Sequence, residues 1–123
     1  MLNLNSIIIF SENPKVLVDF YKKVLQKDPG WTGGEFVGWQ AGSGYLTIGP
    51  HSKVHGKSTN PERLMFFFET KDVAGEFTRL KGLGATVVAE PYQPGEEPKM
   101  WLATLADPDG NYFQLVTPMK MVN

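Results

Sequence analysis

LADPDGNYFQLVTP, residues 105–118, holds the pattern from which the fold can be read. Pro108-Asp109-Gly110 sets a tight reversal: proline fixes φ, aspartate bonds nearby backbone, and glycine takes the left-handed position. The chain then alternates. Tyr112, Gln114 and Val116 point one way, Phe113 and Leu115 the other, as the two-residue period of a strand requires. The second of these faces is wholly apolar and predicts a covering helix. The first mixes an aromatic ring with an amide, which suits either a pocket or solvent.

The rest of the composition narrows the choice. With 123 residues, 41% of them hydrophobic, the chain can bury one core or two small modules' worth of it. Twelve basic and thirteen acidic residues give a formal net charge of −1, with no basic stripe for nucleic acid or an anionic membrane surface. Cysteine is absent, which excludes disulfides, zinc–thiolate sites and thiol catalysis. The first residues lack a basic segment leading into a long apolar run, and no stretch approaches the roughly 20 apolar residues that span a bilayer. The expectation is a soluble cytoplasmic protein.

Upstream of the quoted stretch, SIIIF (Ser6 to Phe10) reads as a strand. Asn13-Pro14 then marks a helix start, with Asn13 as cap, and Val16, Leu17, Phe20, Tyr21, Val24 and Leu25 recur at helical spacing up to the Asp28-Pro29-Gly30 cluster. Strands follow at Glu35 to Ala41 and Tyr45 to Ile48, joined through Gly42-Ser43-Gly44. Pro50 to Glu62 is polar and reads as a linker. The order then repeats: strand Leu64 to Glu69, a helix capped by Asp72 with Val73, Phe77, Leu80 and Leu83 and closed by Gly84, strand Ala85 to Ala89, a loop over Pro91 to Pro98, and Trp101 to Ala106 leading into the final hairpin. Setting Ser6 against Met65, Asn13 against Asp72 and Tyr21 against Leu80 keeps a constant offset, an internal repeat of element order with little identity. One helix to several strands in each half favours an α+β fold, each half-sheet covered by a helix on one face.

Phe20-Tyr21-Lys22-Lys23-Val24-Leu25, Arg79-Leu80-Lys81 with Gly84, and Asp107-Pro108-Asp109-Gly110-Asn111-Tyr112-Phe113-Gln114-Leu115 resemble the vicinal oxygen chelate superfamily of glyoxalase I, bleomycin-resistance proteins, extradiol dioxygenases and fosfomycin-resistance thiol transferases. The resemblance covers nearly the whole chain. It implies one glyoxalase/bleomycin-resistance-like domain over 1–123, with module 1 at about 1–50, a linker at about 51–62 and module 2 at about 63–119. It implies two βαβββ modules whose curved sheets form a cup with the helices outside, and a homodimer. The superfamily's metal ligands, carried over by spacing, fall on Ser6, Thr47, Met65 and Gln114. Only Gln114 is a plausible ligand, whereas a catalytic divalent site needs about three His or carboxylate donors. No metal or other cofactor is expected.

The remaining candidates have plainer roles. His51 and His55 have i, i+4 spacing, but Gly49-Pro50 and Gly56 flank them and no glutamate lies between, so they read as loop residues rather than a metal pair. Glu12, Glu35 and Glu69 are expected to be solvated charges. Among the aromatics, Phe66 and Phe68 lie opposite Met65 and Phe67, so one pair packs beneath a helix and the other faces the mixed side. Three tryptophans in so small a chain point to some lying at a rim or groove.

These readings combine as a metal-independent protein that binds a small molecule, with no catalytic residue. Ser6, Phe10, Trp39, Thr47, Met65, Phe67, Trp101, Tyr112 and Gln114 are the expected ligand contacts. Its resemblance to bleomycin-resistance proteins implies sequestration of a planar antibiotic or metabolite. The alternatives are a metal-dependent glyoxalase-like lyase, isomerase or thiol transferase, and an interaction module with a vestigial pocket.

Overall fold

A computed structural model describes residues 1–95 and 99–118. It divides into two units, Met1–Gly56 and Lys57–Asn123, each with one helix and one four-stranded mixed sheet. The fold is therefore α+β, as its helix-to-strand ratio predicts.

In the first unit β1 (Ser6–Phe10) leads through Ser11 into α1 (Pro14–Leu25), followed by β2 (Trp31–Gly33), β3 (Phe36–Ala41) and β4 (Gly44–Gly49). The sheet order is β1-β4-β3-β2, with β1 parallel to β4 and the other pairs antiparallel. Leu17, Phe20, Tyr21 and Val24 are the buried stripe of α1, each burial contributing about 1.5–3 kcal/mol. They sit over the side of the sheet that carries Leu46, Ile48 and Trp39. Trp39 is 0% exposed, and its indole N–H donates to the Lys27 carbonyl at 3.0 Å, so the polar tip of the ring is met just past the end of α1.

Two local details differ from expectation. Asn13 starts α1 without a side-chain cap. Its own backbone N–H instead donates to Ser11 Oγ, and its carbonyl accepts from Val16 N–H. Pro14 in the first turn leaves fewer N–H groups to be capped. The helix also stops before the Asp-Pro-Gly cluster, at Gln26, which takes the left-handed conformation at φ 54° while Lys27 N–H returns to the Lys22 carbonyl. Sequence reading missed β2 altogether, because three residues containing Trp and Gly have no period to recognise.

The second unit repeats the plan with β5 (Phe66–Glu69), α2 (Val73–Gly82), β6 (Thr86–Tyr92), β7 (Leu102–Ala106) and β8 (Tyr112–Val116), in the order β5-β8-β7-β6 with β5 parallel to β8. Asp72 caps α2 by accepting from Gly75 N–H at 2.9 Å. A Cβ on Gly75 would meet that carboxylate at 2.1 Å, so glycine leaves room for the cap. Val73, Phe77 and Leu80 form the buried face of α2. On the sheet, Phe113 and Leu115 are buried, and Phe66, Phe68 and Phe113 form one ring cluster with centroids 5.5–5.9 Å apart. The apolar face of the opening stretch is thus a core face, and Phe66 and Phe68 are the pair within it.

β6 runs past Ala89 to Tyr92, through Pro91, with two register shifts against β7. An edge strand tolerates a proline there because the irregular register leaves its missing N–H without a ladder partner. Positions 96–98 of the expected loop and position 119 at the end of the second module lie outside the described residues. The Asp107–Asn111 turn is tied from within: Asp107 Oδ1 accepts from the backbone N–H groups of Asp109 and Asn111, and both of its oxygens accept from Asn111 Nδ2. Asp109's carbonyl accepts from Ser58 N–H at 2.8 Å.

Candidate functional site

The helices cover one face of each sheet, and register assigns the residues of the other. In the first unit Ser6 pairs with Tyr45, Ile8 with Thr47, Phe10 with Gly49, Thr47 with Gly38, and Gly38 with Trp31. Residues paired in register share a face, so Ser6, Ile8, Phe10, Tyr45, Thr47 and Trp31 lie together, opposite α1. Thr47, placed by spacing, does belong to this face. Ile8, Tyr45 and Trp31 are large and exposed there.

Two glycines shape the surface. A Cβ on Gly38 would meet the Trp31 ring at 2.3 Å, and one on Gly49 would meet the Phe36 ring at 2.3 Å. Both rings therefore lie against bare strand backbone. Trp31 remains 46% exposed, with one side on the sheet and another open. Phe36 meets Phe10 edge-on at 6.3 Å, and Phe10 meets His51 edge-on at 5.0 Å. Neither Trp31 nor Phe36 was selected as a contact from the sequence. For Trp31 the usable signal was Gly38 inside a strand, which marks close approach by another group; Gly49 ends β4 and carries no such signal.

In the second unit Phe67 pairs with Gln114 and Gln114 with Thr104, a row across three adjacent strands. Tyr112, and Met65 just ahead of β5, share its parity. Gln114 is 8% exposed and Thr104 4%, and Gln114 Nε2 donates to Thr104 Oγ1 at 2.8 Å. Sequence reading had Gln114 on this face but missed Thr104, whose role depends on strand pairing.

Two expected contacts lie elsewhere. Trp39 is a core residue beneath α1, since its register partner Leu46 faces the helix. Trp101 precedes β7, its carbonyl accepting from Thr117 N–H and its own N–H donating to Thr117 Oγ1, and the pleat gives it the parity of Ala103 and Leu105 on the α2 side. It stays 41% exposed at the sheet end, away from the Phe67–Gln114–Thr104 row.

The superfamily's metal implies donors at Ser6, Thr47, Met65 and Gln114, and these side chains do not fit it. Two hydroxyls, a thioether and an amide turned toward a threonine make a poor donor set for a hard or borderline cation. Among the described residues no group of three or more His, Cys, Asp or Glu side chains is placed to hold a metal ion. His51 and His55 are exposed loop residues: His51 Nδ1 accepts from Lys53 N–H, and His55 Nδ1 lies 3.5 Å from Glu12 Oε1. Glu12 also accepts from Gly56 N–H at 3.1 Å. That backbone donor first, and His55 second, hold its carboxyl below the usual glutamate range. No helix among the described residues is long and apolar enough to cross a membrane.

A family model described as a glyoxalase-like domain matches residues 6–116. Among solved structures, a glyoxalase-related enzyme from Fulvimarina pelagi superposes with a TM-score of 0.75 at 16% identity, covering 95% of this chain and 88% of its own. A glyoxalase/bleomycin resistance protein/dioxygenase family enzyme from Burkholderia phytofirmans PsJN gives 0.73 at 20% identity, covering 94% and 98%. TioX from Micromonospora sp. ML1 gives 0.70 at 15% identity, covering 94% and 98%. No curated protein matches the sequence.

Proposed function

Because the chain belongs to the glyoxalase-like domain family, we propose that it is a metal-independent binding protein for a planar aromatic small molecule, held on the sheet faces turned away from the helices. The observation that carries this reading is the Trp31 indole lying on Gly38 with its other side exposed. A ring already fixed against backbone loses little conformational freedom when a second ring stacks on it, and such offset stacking contributes about 0.5–1.5 kcal/mol beyond area burial. On the first sheet Ser6, Phe10 and Thr47 share the face of Trp31 and are its candidate contacts; on the second sheet, taken by itself, the candidate contacts are Met65, Phe67, Tyr112 and Gln114. The physiological role that follows is sequestration of an antibiotic or metabolite by a homodimer in the cytoplasm.

Titration of tryptophan fluorescence with a planar heteroaromatic probe such as acridine tests the reading. Binding with quenching is expected, and Trp31→Ala should weaken it by about 1–3 kcal/mol, roughly 5- to 150-fold, with the fold intact. Unchanged affinity in that variant would refute the stacking role. Elemental analysis of protein purified without added metal should find no stoichiometric divalent ion; about one tightly held equivalent per chain would favour the metal-dependent enzyme instead.

A further inference from the structure

The Gln114–Thr104 pair has hydrogen-bonding capacity that the chain itself leaves unused. A glutamine amide offers two N–H donors and a carbonyl acceptor, and a threonine hydroxyl offers one donor besides its lone pairs. Their mutual bond takes one amide N–H and one hydroxyl lone pair. Having accepted that bond, the Thr104 hydroxyl directs its proton elsewhere, and it has no acceptor among the described residues. The Gln114 carbonyl oxygen likewise has no donor there. Every fully enclosed side-chain nitrogen and oxygen among the described residues has a partner, so this oxygen keeps an accessible surface although its residue is only 8% exposed. Beside the pair, in the same row, stands Phe67 at 53% exposure.

An unmet donor and an unmet acceptor side by side, next to an exposed ring, complement a flat ring that carries C=O and N–H on adjacent atoms. We infer that this face of the second sheet recognises a planar cyclic amide: the Thr104 hydroxyl donates to the amide carbonyl, the amide N–H donates to Gln114 Oε1, and the ring lies against Phe67. The inference rests on the reading of the chain as a planar-aromatic binder and adds the chemical class of the ligand's polar edge. A pure hydrocarbon would leave both protein groups desolvated and unpaired. A carboxylate would bring acceptors to both positions and set one against the Gln114 carbonyl.

The test compares 2-quinolone with its N-methyl derivative, which keeps the ring and carbonyl but lacks the N–H, by calorimetric titration. The parent compound should bind about 10- to 100-fold more tightly to the native protein. Gln114→Met, which removes the acceptor for the N–H, should bring the two affinities together, whereas Thr104→Val should weaken both compounds alike through the carbonyl they share and leave the preference in place. Phe67→Ala should weaken both compounds by the same factor. The comparison on native protein needs no variant and so does not depend on any variant folding. If both compounds bind equally, cyclic-amide recognition is overturned while the planar-aromatic reading stands; if neither binds, both are overturned.

Discussion

Gln26 and Gly75 show that the value of a residue depends on the backbone it occupies. Among the described residues Gln26 is the one non-glycine with positive φ, a conformation in which Cβ crowds the following carbonyl. Gln26→Gly should stabilise the protein by about 0.5–1 kcal/mol, read as a higher denaturation midpoint at unchanged slope. An unchanged or lower midpoint would show that the glutamine conformation carries no strain. Gly75 should behave in the opposite sense. Replacing a helical glycine by alanine ordinarily gains about 1 kcal/mol, but here a Cβ displaces the Asp72 carboxylate from the cap it forms, at a cost of about 1 kcal/mol. Gly75→Ala should therefore bring no net gain; a rise near the full helical increment would mean that the cap relaxes freely.

Among the elements, the long periodic ones were legible and the paired ones were not. The stripe Leu17, Phe20, Tyr21, Val24 repeats at helical spacing and is the buried face observed; Phe113 and Leu115 alternate and are the core face observed. β2 was invisible because its three residues are ordered by pairing with β3 rather than by a pattern of their own. The same reason explains the aromatics: Trp31 and Trp39 are both plausible cavity residues by type, and only the register of β3 sends one to each side of the sheet. Gly38→Ala tests the arrangement directly. It should push the indole from its seat and weaken planar-probe binding about as much as Trp31→Ala does, although the tryptophan is still present; undiminished binding would mean that the ring's seat on the backbone is irrelevant. The loop holding His51 and His55 is tied to the β1–α1 connection through Glu12, whose carboxyl has a depressed pKa. A lowered folded-state value makes this contribution to stability complete above the ordinary value of 4.5 and lost as pH falls through the lower folded-state value. The stability difference between the native protein and Glu12→Gln should accordingly be larger at neutral pH than in acid, as measured by denaturant unfolding; a pH-independent difference would remove Glu12 from the linkage.

For the whole molecule, the exposed Ile8, Trp31, Tyr45 and Phe67 and the open edges of two four-stranded sheets are surface that association would cover. Light scattering at tens of micromolar should give twice the chain mass under the proposed homodimer, and a monomer would overturn it. The sheet orders have a further consequence, in time rather than space. In each unit the strand made last, β4 or β8, is an inner one, lying between the first strand and the β3 or β7 hairpin partner. A ribosome therefore releases β1 and β5 long before the strand that receives them exists, and neither sheet can close until its final segment has emerged. β5, with its three consecutive phenylalanines, waits longest in sequence terms for Tyr112–Val116. Until then it is an apolar strand without its neighbour, the kind of species that slow non-local pairing exposes to aggregation. Yield in the cell should consequently respond to the speed of translation between the two halves of that parallel pair.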